Sequence, residues 1–215
     1  MFEIKTVKAI RPGRAGFFAI PGEAPEGPPA FTEAPIIDNF NRANEGPPPS
    51  SNWTTGIDGG TVGFSVNSNQ AAPAGDGASM YWNAADFGPD LDIYATRSNS
   101  TAPIRLYWRM VSVGSGAVDG YAILAYTDGN IYVYKMTNWA YTQLGATIAQ
   151  TMANGASLGV RMIGSTIDVY YKAPAGSWTL IGTRSDSTYS AAGKVGVQFF
   201  DSTSHRLDDF GAGTL

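Results

Sequence analysis

The sequence predicts an all-β chain of short antiparallel strands, and three observations carry that expectation. Gly, Ser, Thr, Asn, Tyr and Trp are plentiful while Lys and Glu are scarce, a composition that suits strands joined by tight turns. From Trp53 onward, apolar and aromatic runs of about 5 to 9 residues alternate with Gly, Asp or Asn turns. No stretch holds a helical apolar period for more than a turn or two, and only ATIAQTMANGA (146–156) has room for a short helix. At 215 residues the chain can form one large β domain or two small ones, and either can bury a core.

The elements follow in order. TVGFSVN (61–67), ASMYWNA (78–84), LDIYATR (91–97) and IRLYWRMVSV (104–113) read as strands. GYAILAYTDGNIYVYKM (120–136) reads as a hairpin with Asp128-Gly129 in a type I′ turn. LGVRMIGSTIDVYYK (158–172) is a second hairpin, turning at Gly164-Ser165. SWTLIGTR (177–184), KVGVQFF (194–200) and HRLDDFGAG (205–213) complete about a dozen strands, as in a two-sheet sandwich or a barrel. Strict alternation would put Arg105, Tyr107 and Arg109 on one face and Leu106, Trp108 and Met110 on the other.

Residues 1–35 have a different texture, and the main domain is expected to begin at residue 36. FEIKTVKAI (2–10) alternates like an edge strand able to add to another sheet. RPGRAGFFAIPGEAPEGPPAFTEAP (11–35) holds six of the thirteen prolines, which exclude a helix or a central strand. Its Phe17, Phe18, Ile20 and Phe31 are too apolar for a solvated linker. Lys5, Lys8, Arg11 and Arg14 stand against Glu3 alone in the first fourteen residues, so an acidic patch is a reasonable seat. The segment therefore reads as an extended anchoring arm. Phe2, Ile4, Val7 and the four apolar residues above would supply the contacts and the four basic residues the charge; wrapping back onto its own domain is the competing arrangement.

A net charge of −4 argues against duplex nucleic acid as a partner of the whole surface. No apolar run approaches the roughly 20 residues of a membrane-spanning helix. The absence of cysteine leaves the redox compartment undecided, and the charged start MFEIKTVKAIRPGR has no secretory apolar region.

Three segments carry a resemblance. DNFNRANEGPPPSSNW, DGYAILAYTDGNIYVYK and AAGKVGVQFFDSTSHRLDDFGAG resemble the concanavalin A-like, laminin-G-like jelly roll, an antiparallel two-sheet sandwich with its first and last strands side by side. The echo between Asp38-Asn39-Phe40 and Asp208-Asp209-Phe210 fits that closure. The resemblance covers residues 36–215 and implies a fold shared by lectins, glycosidases, carbohydrate-binding modules and virion proteins. With the arm in front, the chain is similar to bacteriophage head-decoration, head-fibre and tail proteins. That likeness implies a structural virion subunit, dimeric or trimeric, made in the host cytoplasm and seated on a major capsid or other virion protein. A carbohydrate-binding module facing a cell-surface glycan is the alternative, and a glycosidase comes third.

The chemistry available narrows these readings. Glycoside hydrolysis needs two facing carboxylates. All five glutamates (Glu3, Glu23, Glu26, Glu33, Glu45) precede the main strands, and the Glu-x-Asp-x-x-Glu pattern of hydrolytic members is absent. Asp90 and Asp92 could share one strand face, but they flank a Pro-containing turn where acids are ordinary. His205, the single histidine, would need Asp201 or Asp208 and a nucleophile elbow that the sequence lacks. The chain is therefore expected not to be an enzyme. A structural calcium, as in related jelly rolls, would use Asp38, Asn39, Asp208 and Asp209; the competing arrangement has the aspartates capping the last strand and pairing with Arg206 or Arg42. No other cofactor is expected. Sugar binding would fall to Trp82, Tyr107, Tyr132, Tyr134, Trp139 and Tyr141, as aromatic platforms beside turns or on an open sheet face.

Overall fold

The computed structural model describes residues 30–99, 103–200 and 203–215. Two antiparallel sheets of eight strands each stack into a jelly-roll sandwich. The first sheet begins with β14 (Trp178–Ser185), β13 (Thr166–Lys172), β12 (Ser157–Ile163) and β6 (Leu91–Arg97). It continues through β16 (Leu207–Thr214), β4 (Gln70–Pro73) and β3 (Phe64–Asn67), and β1 (Ile36–Asp38) also pairs with β16. The second sheet runs β10 (Ala140–Gln143), β9 (Asn130–Thr137), β8 (Asp119–Ala125) and β7 (Ile104–Val111). Beyond them lie β15 (Lys194–Phe199), β5 (Ser79–Trp82) and β2 (Trp53–Thr55), while β11 (Ile148–Ala149) pairs with β9. The expected closure is present: Ile36 pairs with Gly211 and Asp38 with Phe210.

Alternation explains the core. Leu91, Ile93 and Ala95 of β6 and Leu158, Val160 and Met162 of β12 point inward. They meet Ile104, Leu106 and Trp108 of β7 and Val195, Val197 and Phe199 of β15. One rim is locked by Asp38. Its carboxylate accepts hydrogen bonds from the Phe40 amide, both terminal nitrogens of Arg42 and the Trp53 indole N–H at 2.8 Å. Asp38 belongs to the first sheet and Trp53 to the second, so the bond spans the sandwich. Trp53 in turn contacts the rings of Phe40, Phe64, Trp82 and Phe210.

Strand β7 departs from simple alternation. Trp108 pairs with Tyr121 and Val111 with Asp119, so Arg109 and Met110 together oppose the single residue Gly120, forming a β-bulge. Arg109 takes a φ of 47°, and Met110 joins Tyr107 on the outer face instead of turning to the core. The expected stripe of Arg105, Tyr107 and Arg109 is broken for this reason. The buried Arg109 guanidinium donates instead to the carbonyls of Pro89, Gly164 and Tyr189, at 2.6, 3.1 and 2.8 Å. A Cβ on Gly120 would come within 2.9 Å of the Arg109 carbonyl oxygen, and one on Gly193, just before β15, within 2.6 Å of the Arg109 carbonyl carbon, so the bulge needs glycine on both sides.

Two local expectations are corrected. The loop between β8 and β9 has positive φ at Gly129 but not at Asp128, so it is not a type I′ turn; the Asp128 side chain instead accepts the Asn130 amide. Segment 146–156 forms no helix: Ile148 pairs with Ile131, and tertiary pairing overrides the local pattern.

The arm reaches the sandwich at its C-terminal end. Phe31 is 7 % exposed and lies against Tyr94, Tyr170 and Trp178 on the outer face of the first sheet. Arg161 forms a buried bidentate pair with Asp92, donates to the Ala30 carbonyl at 2.9 Å and sets its guanidinium 5.4 Å from the Phe31 ring centre. Glu33 accepts from Lys172 and from the Trp178 indole. Phe31 therefore anchors onto its own domain, correcting its expected role toward a partner, because the outer faces of β6, β12, β13 and β14 offer it an aromatic pocket. Phe2, Ile4, Lys5, Val7, Lys8, Arg11, Arg14, Phe17, Phe18 and Ile20 lie outside the described residues.

Phe31→Ala is expected to cost about 3 kcal/mol by emptying that pocket, with altered Trp178 fluorescence, measured by urea unfolding. Alkaline stability follows from buried phenols. Burial lifts Tyr94 to about 12, aided by the charges of Glu33 and Asp209, and lifts Tyr121 to about 12. The folded state holds these protons more tightly than the unfolded chain, whose phenols titrate near pH ~10. Their contribution is complete below that value and is lost as pH rises from 10 to about 12, a decline that unfolding curves across this window should show.

Candidate functional site

The outer face of the second sheet carries a cluster of rings and polar groups that the fold does not need for its core. Tyr107 sits at its base with no exposed surface, on a floor of Ile57, Met110, Val118, Ala122 and Met136. Its hydroxyl donates to Gln198 Oε1 at 2.5 Å and therefore accepts the proton of Tyr141, whose hydroxyl is 2.9 Å away. Burial raises the Tyr107 phenol well above its ordinary range, so the relay stays protonated through neutral pH. Around it stand half-buried rings. Trp139 stacks on Tyr107 at 5.9 Å and meets Tyr141 edge-on at 5.5 Å. Tyr134 meets Tyr141 at 5.6 Å and stacks with Tyr132 at 6.2 Å.

Arg105 extends across this group. Its guanidinium lies 4.4 Å from the ring centres of both Tyr141 and Phe200, and one terminal nitrogen is 3.3 Å from Tyr107 Oη and from Gln198 Oε1.

Local sequence explains how the rings are presented. β9 and β10 are joined by the two residues Asn138 and Trp139, at φ of 48° and 63°, the type I′ geometry that normally calls for glycine. Asparagine tolerates this conformation, whereas a bulky ring in it is strained. The turn is held by Asn138 N donating to Asp119 Oδ1 at 2.8 Å and Trp139 N donating to the Val118 carbonyl at 2.9 Å. This strained turn delivers the indole onto Tyr107.

Five of the six residues expected to bind sugar thus lie on one face: Tyr107, Tyr132, Tyr134, Trp139 and Tyr141. Tyr107 supports the others from below. Trp82 is corrected: it points inward from β5, 5.4 Å from Trp53, and is 8 % exposed. It borders a pocket of about 420 Å³ beside Asp38, Asn39 and Arg42, where Asp38 and Arg42 are occupied by each other. Sequence reasoning missed Gln198 and Phe200; the polar signal was Gln198 between Val197 and Phe199 in KVGVQFF.

The four residues expected to hold calcium make other contacts among the described residues. Arg42 supplies the positive charge at Asp38, and Asn39 accepts the Asn41 amide. Asp208 accepts the Asp209 amide, and its carboxyl is pushed up by burial and by the charges of Asp209 and Asp38. Among the described residues, no group of three or more carboxylate or histidine ligands converges. Asp92 is paired with Arg161, and Asp90 accepts the Gly164 amide. His205 is buried against Phe199.

No family model matches the chain, and no curated relative matches it in sequence. Solved structures are similar in fold at low identity. The carbohydrate binding module CBM66 from Bacillus subtilis has a TM-score of 0.57 at 17% identity, covering 76% of this chain and 94% of its own. The metal-free exoplasmic/lumenal domain of VIP36 has a TM-score of 0.58 at 13% identity, over 84% of this chain and 91% of its own. The Bacillus licheniformis beta-glucanase has a TM-score of 0.52 at 9% identity, over 81% and 94%. At these identities the likeness establishes the galectin-like, concanavalin A-like sandwich and nothing finer.

Proposed function

We propose that the chain is a non-catalytic carbohydrate-binding module that takes a saccharide across the outer face of its second sheet. The observation that carries this is the Trp139–Tyr141–Tyr134–Tyr132 ring array beside the polar Arg105 and Gln198. Sugars present apolar C–H faces that stack on rings and hydroxyls that need fixed donors and acceptors, and this face offers both. The side chains that form the array include no carboxylate pair for glycoside hydrolysis. The acid beside it, Asp128, accepts the Tyr132 hydroxyl at 2.5 Å.

A second arrangement, in which the module is a virion subunit held by its N-terminal segment with the same face outward, is favoured by the basic residues Lys5, Lys8, Arg11 and Arg14. Deleting residues 1–29 is then expected to abolish particle association while the sandwich keeps its thermal midpoint; retained association ends that arrangement.

Glycan binding is expected to weaken about tenfold or more in Trp139→Ala and in Tyr141→Ala, read by calorimetry against a saccharide found on a glycan array. Trp82→Ala should lower stability and leave affinity unchanged. Binding that survives both face substitutions would refute the assignment.

A further inference from the structure

We infer that the saccharide bound on this face is acidic and that Arg105 reads its carboxylate, an inference that rests on the glycan-binding role proposed above. The other described arginines show what is missing at Arg105. Arg42 and Arg161 pair with carboxylates, and Arg109 adds Asp90 at 3.6 Å to its three carbonyls. Arg97, Arg184 and Arg206 donate to backbone carbonyls. Among the described residues Arg105 reaches only neutral groups, the Tyr107 and Tyr141 phenols and the Gln198 amide, and one terminal nitrogen lies at the long distance of 3.3 Å from Tyr107 Oη and from Gln198 Oε1. Its Nε is buried and finds no partner among the described residues.

A partly buried cation is normally paired, because its desolvation is costly. Here the guanidinium is held between the Tyr141 and Phe200 rings, each 4.4 Å away, which orients the charge without neutralising it. Gln198 fits the same purpose. Its Oε1 is committed to Tyr107 and Arg105, and its amide nitrogen makes no hydrogen bond among the described residues, adding a neutral donor beside the cation. Among the described residues, the acids whose charge is felt by the rings of the face do not pair with Arg105: Asp128 accepts from Tyr132, and Asp58 accepts from Ser79 at 3.3 Å. A planar, oriented guanidinium with an adjacent amide donor matches a sugar carboxylate, while the surrounding rings take the pyranose faces.

The test is calorimetry on the full chain with three acidic probes: oligogalacturonate, hyaluronan oligosaccharide and sialyllactose. Methyl-esterified oligogalacturonate and lactose serve as neutral counterparts, and 3′-sulfolactose, which has a sulfate and no carboxylate, as the sulfated one. At least one carboxylate probe should bind about tenfold or more tighter than its neutral counterpart. That preference should vanish in Arg105→Gln, return in part in Arg105→Lys, and fall with added salt. The acid-against-neutral comparison on the unaltered chain needs no variant to fold. Equal binding of neutral and acidic probes, still lost in Trp139→Ala, overturns the inference and leaves the glycan-binding role standing. A preference for the sulfated probe overturns the carboxylate assignment, and no binding to any carboxylate probe overturns the inference while the glycan array decides the binding role.

Discussion

The β-bulge at Arg109 is the constraint on which the arrangement of the second sheet depends. By inserting one residue opposite Gly120, it reverses the facing of β7 beyond Trp108. Arg109 is buried where its guanidinium can tie the Gly164 turn of the first sheet to the Pro89 and Tyr189 loops. Met110 is sent outward to become part of the floor beneath Tyr107. A non-glycine residue in the left-handed region costs on the order of 1–3 kcal/mol, and the three carbonyl bonds of a charged donor are of a size to offset it. Gly120 and Gly193 give the kinked backbone room on either side.

At the opposite rim, Asp38 performs a comparable task by a different route. The cost of desolvating the buried Asp38 carboxylate is offset by four hydrogen bonds, two of them from one guanidinium, and the group links β1 to Trp53 across the sandwich. The pairing of β1 with β16 brings the chain's early and final strands into that same rim. Residues 30–35 extend the principle to the outside of the first sheet: Phe31, Glu33 and the Ala30 carbonyl meet Tyr94, Lys172, Trp178 and Arg161. Part of the first sheet's outer face is thus covered by residues 30–35. Among the described residues, the ring cluster of the second sheet is left half-exposed.

That asymmetry gives the second sheet its chemistry. Its rings are not loose surface residues: Tyr141 is fixed by its bond to Tyr107, and Trp139 by a strained two-residue turn. Fixing rings before a ligand arrives removes ordering cost from the binding step. The strain at Trp139 and the charge at Arg105, which no carboxylate among the described residues compensates, both disfavour the free protein locally. Each gains a physical rationale if the face is built to be covered.

Much of this was written in the chain. Period-two alternation and Gly/Asp/Asn turns determined an all-β chain, a sandwich or a barrel, and the resemblance to the jelly roll pointed to the sandwich. LDIYATR (91–97) matches β6 from end to end, and the echo of Asp38-Asn39-Phe40 in Asp208-Asp209-Phe210 marked the strands that pair. Tyr132, Tyr134 and Tyr141 were legible as surface rings because they alternate with buried or turn residues. Facing was decided only in three dimensions. The bulge that separates Arg109 from Arg105 leaves no mark in a binary pattern, since Trp108-Arg109-Met110 looks like any other strand. Trp82 and Trp139 both sit beside turns in sequence, yet one packs against Trp53 in the core and the other stacks over Tyr107, because burial depends on what lies across the sheet. Likewise Asp38 and Phe31 read as ligand and anchor until Arg42 and the Tyr94–Tyr170–Trp178 pocket claimed them. Composition and period determine which residues can form strands. Only the stacking of two sheets decides which of their residues are buried and which stay exposed.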